Sequence, residues 1–121
     1  MKVKIDTKEK FHVIIIEETV LSANMTGDLT QTLLSFLNKT PKSLVINFGK
    51  VEKIDAAAAT TIVTVLQTFY DANCSLVIFN LRPEIETYLD EKELLELMNV
   101  TPTESEAWDI VQMEEIEREF S

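Results

Sequence analysis

The stretch Leu44–Tyr70 constrains the fold most, because a strand pattern runs almost directly into a helix pattern there. Branched and aromatic residues predict a buried strand, Leu44–Phe48, which ends before a glycine. After a short charged loop, apolar residues recur at three- and four-residue steps from Ala59 onward, which predicts an amphipathic helix. A strand followed by a helix over a short connection is typical of α/β proteins.

The start of this helix carries only small side chains after its first residue. Asp55 is the predicted N-cap, since its carboxylate can accept from backbone N–H groups that the first turn leaves unpaired. Four alanines follow, and a helical wheel places Ala57 on the face opposite the apolar stripe, toward solvent or a partner. A positively polarised helix start with small residues suits an approaching anion or partner. A capped helix that only packs on a sheet explains the same residues.

The rest of the chain alternates between strand and helix patterns. Strands are predicted at Lys2–Asp6, Phe11–Glu17, Leu76–Phe79 and, as a short final strand, Val100. Helices are predicted at Ser22–Asn38, from Pro83 with a break near Asp90–Lys92, and after a capping box that begins at Thr103. We expect Ser22 to cap its helix and Glu114–Ser121 to fray. Together the patterns predict one α/β domain, a sandwich with a mixed, mostly parallel sheet of four to five strands and four to five helices.

Charge and hydropathy argue against nucleic-acid binding and against insertion into a membrane. The net charge of −10 lies entirely in residues 82–121, which hold 13 acidic and 3 basic residues. Such a chain repels phosphate backbones, so we do not expect nucleic-acid binding. Even the longest apolar runs, such as Val13–Ile16, are far below the ~20 residues of a membrane span, and the amino terminus lacks the apolar core of a signal peptide. With Cys74 as the single cysteine, we expect a cytoplasmic protein.

The sequence offers few groups for catalysis or metal binding. His12 is the only histidine and has no cysteine or second histidine near it, so we predict no metal site. Two glycines cannot build a phosphate-cradling loop, and no nucleophile elbow occurs. A pair of catalytic carboxylates is left open, although the pattern places most carboxylates on helix surfaces. We predict that the protein is not an enzyme and carries no cofactor.

The run VINFGKVEKIDAAAAT, Val45 to Thr60, resembles the central segment of the STAS domain, the family of bacterial anti-sigma factor antagonists. In that family a strand ends in Asp or Asn, and after a short loop Asp-Ser-Ser-Gly opens a helix. Asn47 and Asp55 match the strand residue and the motif's aspartate, and Ala56–Ala58 replace the two serines and the glycine. The segments LSANMTGDL and PTESEA are similar to the family's first- and last-helix entries. The resemblance therefore covers essentially the whole chain, 1–121.

The resemblance implies a function without catalysis. The second serine of the motif is the family's regulatory phosphorylation site, and Ala57 at this position has no hydroxyl to phosphorylate. We therefore expect an anti-sigma factor antagonist-like regulator that binds a protein, such as an anti-sigma kinase, without that control. The implied partner-binding residues are Lys53, Ile54, Asp55, Ala56, Ala57, Thr60 and Thr61.

Several alternatives stay open from the sequence. The chain could be an accessory or scaffold subunit of a membrane transport ATPase or of a larger sensory assembly, for which the serine is not needed. Weak nucleotide binding at the helix start, substitute phosphorylation at Thr60 or Thr61, and a weak homodimer are also open.

Overall fold

The computed structural model describes residues 1–120, which form seven strands and four α-helices. The strands are β1 (Val3–Thr7), β2 (His12–Ile16), β3 (Val20–Leu21), β4 (Leu44–Asn47), β5 (Lys53–Ile54), β6 (Leu76–Phe79) and β7 (Val100–Thr101). The helices are α1 (Thr26–Leu34), α2 (Ala56–Asp71), α3 (Pro83–Glu91) and α4 (Glu104–Glu119). Short 3-10 turns lie at Ala23–Met25, Ser35–Asn38 and Leu95–Leu97.

Five strands form one mixed sheet in the order β1-β2-β4-β6-β7. The first pair is an antiparallel hairpin, and every later pair is parallel. Parallel neighbours need crossover connections, which α1, α2 and α3 supply in turn. The structure thus confirms the predicted α/β fold with a mostly parallel sheet, and it also confirms the two opening strands and the final short strand.

The two faces of the sheet carry separate apolar cores. Alternate residues of one strand point to opposite faces, so Ile46 and Val45 of β4 belong to different cores. The larger core receives α1, α2 and α3, whereas α4 alone covers the other face through Ala107 and Val111. The start of α2 and the outer side of α4 therefore lie on opposite sides of the sheet.

The predicted first helix is wrong at its amino-terminal end. The α-helix begins at Thr26, after a 3-10 turn, and the Ser22 side chain caps no backbone group. Its hydroxyl instead hydrogen bonds with the side-chain oxygen of Asn24. The physical reason is that Val20–Leu21 forms a short strand immediately before Ser22, which fixes the direction in which the chain enters the turn.

The carboxyl-terminal helix is continuous to Glu119, which includes most of the segment that we expected to fray. Ser121 lies outside the described residues. The Thr103 hydroxyl accepts from the Glu106 N–H at 3.2 Å, which confirms the predicted cap of this helix.

Candidate functional site

The loop that leaves β4 is held by hydrogen bonds to its neighbours. The Asn47 side-chain oxygen accepts from the Gly49 N–H at 2.8 Å and from the Asn80 amide at 3.2 Å. The Phe48 N–H donates to the Phe79 carbonyl at 3.0 Å. Because Phe48 is also fully buried, the loop leaves the sheet in a fixed direction.

The charged loop before the central helix contains a strand that the sequence did not reveal. Lys53–Ile54 pairs in parallel with Val20–Leu21 as a second, two-stranded sheet. The Asp55 N–H donates to the Leu21 carbonyl at 3.0 Å and extends this pairing to the helix cap. Strands of two residues are too short for any periodicity to appear in the sequence.

The Asp55 carboxylate joins two segments. One oxygen accepts from the Ala58 N–H at 2.9 Å, which confirms the predicted N-cap of α2. The other accepts from the Ala23 N–H at 2.8 Å, at the 3-10 turn before α1. One side chain therefore fixes the starts of two neighbouring helical segments, and it leaves the Ala57 side chain outside this network.

The alanine cluster is divided between surface and core. Ala58 and Ala59 are fully buried, whereas Ala56 and Ala57 are exposed, so the predicted orientation of Ala57 toward solvent is confirmed. Thr60 is exposed as well. Thr61 is half-buried, and its hydroxyl donates to the Ala57 carbonyl at 2.9 Å, as threonines inside helices commonly do.

The remaining two predicted residues differ in exposure. Lys53 is exposed, but Ile54 is only 7% exposed and belongs to the larger core. The Ile54 side chain therefore packs mainly in the core beneath this surface, and little of it is accessible to a partner.

A cleft of about 390 Å³ adjoins these residues, and sequence reasoning missed it. Its far wall is formed by Ile85 and Tyr88 of α3, which lie about 30 residues further along the chain than Lys53 and Ile54 on its near wall. The lining residues are Glu52, Lys53, Ile54, Glu84, Ile85 and Tyr88. The Lys92 ammonium lies 5.7 Å from the Tyr88 ring centroid. No local pattern could have signalled this wall, because it depends on how α3 packs beside β5.

Two basic side chains near the helix start are held by other groups. Lys50 forms an ion pair with Glu17 at 3.2 Å, and Arg82 donates to the Gly49 carbonyl at 3.1 Å. The first turn of α2 contains no acidic residue. The helix start thus presents methyl groups and polarised N–H groups, which can contact a partner but cannot serve as a nucleophile or a general acid.

Residues 1–120 contain no cluster of three or more histidine, cysteine or acidic side chains arranged to hold a metal ion. Within the same range, no helix combines the length and the apolar character that a membrane crossing requires.

Comparison with protein-family models shows which family the chain belongs to. The family model of the STAS domain matches residues 2–107 of the chain. The chain belongs to the STAS domain family. None of the curated proteins compared with this STAS domain matches it.

Solved structures share the fold of this STAS domain at low sequence identity. An anti-sigma factor antagonist from Mycobacterium paratuberculosis is 14% identical with a TM-score of 0.76, over 92% of this chain and 93% of that chain. A variant of RsbS from Moorella thermoacetica is 21% identical with a TM-score of 0.73, over 93% and 96%. The murine anion transporter Slc26a9 is 10% identical with a TM-score of 0.72, over 89% of this chain but only 18% of the transporter. These likenesses establish the fold.

Proposed function

We propose that this STAS domain is a non-catalytic protein-interaction module, an anti-sigma factor antagonist-like regulator that binds its partner through the loop and first turns of α2. The observation that carries the proposal is the exposed, hydroxyl-free Ala57 at a helix start that Asp55 holds in place. The proposed contact residues are the predicted set: Lys53, Ile54, Asp55, Ala56, Ala57, Thr60 and Thr61. We place its action in the cytoplasm, where the single buried thiol of Cys74 stays reduced.

The rigidity of the site supports binding. The loop, the two-residue strand pair and the cap are each fixed by backbone or carboxylate hydrogen bonds. A surface that is already ordered loses little conformational entropy when a partner docks. Small side chains at Ala56 and Ala57 also allow a partner's backbone or side chains to approach the helix closely.

The absence of a side-chain hydroxyl at Ala57 supports a surface that can bind its partner at all times. Phosphate ester formation needs an oxygen on the side chain, and Ala57 has none. A phosphate at this position would add about −1.5 to −2 charge and would repel or displace a partner. Without it, we propose that binding is governed by the availability of the partner. Thr61 is a poor substitute, because its hydroxyl already donates within the helix; Thr60 is the exposed alternative.

An accessory or scaffold subunit of a transport ATPase, or of a larger sensory assembly, is the second candidate. It is favoured by the same observation, since a permanently bound subunit needs no phosphorylation switch. The fold of this chain also recurs within Slc26a9, where it corresponds to 18% of a membrane transporter. The two candidates share a docking surface and differ in the partner.

Affinity capture with matched variants tests the docking surface. Wild type, Ala57→Asp and Thr64→Asp serve as baits in extract from the native cell. Thr64 is exposed and lies two turns further along α2, so it receives the same charge away from the proposed contact. We expect wild type and Thr64→Asp to recover one partner, and Ala57→Asp to bind it at least about tenfold more weakly, since an interfacial charge must be desolvated. Equal recovery by all three baits would contradict the proposed surface.

The identity of the captured partner separates the two candidates. A histidine-kinase-like ATPase domain supports the regulator, and a transport ATPase supports the accessory subunit. With such a kinase and ATP, mass mapping should find phosphate on Ala57→Ser but none on wild type at residues 56–59. Phosphate on Thr60 of wild type would overturn the proposal that phosphorylation does not control this surface.

A further inference from the structure

The outer side of α4 carries apolar side chains that nothing in the fold covers. Met113 is 57% exposed, Ile116 54% and Phe120 85%. Their spacing of three and four residues places them on one face of the helix. The opposite face is buried on the sheet through Ala107 and Val111. The helix is therefore apolar on two sides, whereas an ordinary surface helix has one apolar stripe.

The exposed charges on this helix all have one sign. Its exposed acidic residues are Glu104, Glu106, Asp109, Glu117 and Glu119. The one basic residue of the helix, Arg118, turns inward, where it donates to the Ser75 hydroxyl at 2.9 Å and lies 3.8 Å from the Glu114 carboxylate. The face thus combines three apolar anchors with an acidic rim, and the half-buried Arg118 points away from it toward Ser75.

We infer that this face docks a basic amphipathic helix from a second protein. Apolar anchors would bury against Met113, Ile116 and Phe120, while lysines or arginines of that helix would meet the acidic rim. A second copy of this chain fits poorly, because it would bring two acidic rims together. An anionic lipid surface is repelled for the same reason.

The inference does not rest on the proposed function. Because α4 covers the opposite face of the sheet from α2, occupation of one surface leaves the other accessible. The protein can therefore hold two partners at once, one at the start of α2 and one on α4.

A labelled peptide of about 14 leucine and lysine residues, patterned as an amphipathic helix, probes the face of the intact chain. A peptide of the same composition in scrambled order is the control for plain charge attraction. We expect the patterned peptide to bind at least about tenfold more tightly than the scrambled one, with an affinity that falls as salt rises.

Variants locate the binding. Ile116→Gln should weaken the patterned peptide about tenfold or more, and Glu117→Gln should reduce the salt dependence. Ile5→Gln, at an equally exposed apolar residue of β1, and Ala57→Asp should leave the affinity unchanged. Equal binding of both peptides, an unchanged affinity in Ile116→Gln, or a dimer in sedimentation that Ile116→Gln abolishes would each overturn the inference.

Discussion

The carboxylate of Asp55 accepts one backbone N–H from each of two segments, Ala58 in α2 and Ala23 before α1. The sequence predicted the first contact, because a cap and its helix are neighbours in the chain. It could not predict the second, which spans 32 positions and depends on the pairing of β3 with β5. A single residue thus has a local role that a pattern reveals and a tertiary role that only the fold reveals.

Asp55→Ala should therefore cost more than the loss of an ordinary cap. Both N–H groups lose their acceptor, so we expect the free energy of unfolding to fall by about 2 kcal/mol in urea denaturation. Thr103→Ala, which removes the single capping bond of α4, is the control and should cost about 1 kcal/mol. A smaller loss for Asp55→Ala than for Thr103→Ala would contradict the dual role.

Two glycines should respond oppositely to alanine. A Cβ at Gly49 would lie 2.5 Å from the Asn80 side-chain nitrogen and 3.0 Å from the Asn47 side-chain oxygen, so Gly49→Ala must disturb this pair. We expect a loss of about 1–3 kcal/mol in unfolding free energy. Gly27 lies in α1 with nothing within 4 Å of the added atom, and Gly27→Ala should stabilise by roughly 0.5 kcal/mol. Similar effects of the two changes would show that the crowding at Gly49 is unimportant.

At the scale of elements, length largely decided what the sequence could predict, although the two-residue strand β7 was predicted at Val100. The strands Leu44–Asn47 and Leu76–Phe79 and the helix Ala56–Asp71 have enough residues to show a pattern, and each was predicted nearly in full. The strands β3 and β5 have two residues each and were missed. Their absence from the prediction explains the error at Ser22, where the predicted helix begins directly after the strand β3 and runs over a 3-10 turn.

The contact between Tyr70 of α2 and Glu114 of α4 predicts how stability depends on pH. Burial and the hydrogen bond from its hydroxyl to the Glu114 carboxylate raise the pKa of Tyr70 to about 12 from 10.0. The folded state therefore favours the neutral phenol, and this contribution to stability is complete below pH 10 and is lost between about pH 10 and 12.

Spectrophotometric titration checks this contact. Tyr70→Phe should remove the ionisation near pH 12, and Glu114→Gln should lower the pKa of Tyr70 toward 10.0 by removing the carboxylate. Tyr88→Phe is the control and should leave the step near pH 12 in place. If Glu114→Gln left that step unmoved, the hydrogen bond would not be its cause.

At the scale of the whole molecule, the sheet separates two surfaces of different character. The start of α2 carries small side chains and is held by hydrogen bonds to Asp55, whereas the outer side of α4 is apolar and acidic. The sequence indicated the first through its alanine cluster and the excess charge of the second through residues 82–121. The sequence could not show the cleft beside Tyr88, because the cleft depends on packing between distant segments. For the same reason it could not show that one apolar side of α4 is buried on the sheet while the other is left exposed.

Ala57→Asp should bind its partner weakly although it is well folded. Asp in the first turn of a helix interacts favourably with the polarised N–H groups there, typically by 0.3–1 kcal/mol. We therefore expect thermal unfolding of this variant at or slightly above the temperature of wild type. A clear loss of thermal stability would mean that weaker binding reflects misfolding and not a blocked surface.

Backbone amide exchange, measured on the chain alone and on the chain saturated with the captured partner, tests the proposed docking surface most directly. In the free chain the amides of Ala56 and Ala57 should exchange fast, since the first N–H groups of a helix lack intrahelical acceptors and these residues are exposed. With the partner bound, we predict strong slowing at these amides and across residues 53–61. Unchanged exchange at Ala56 and Ala57, with protection confined to other parts of the chain, would contradict the account.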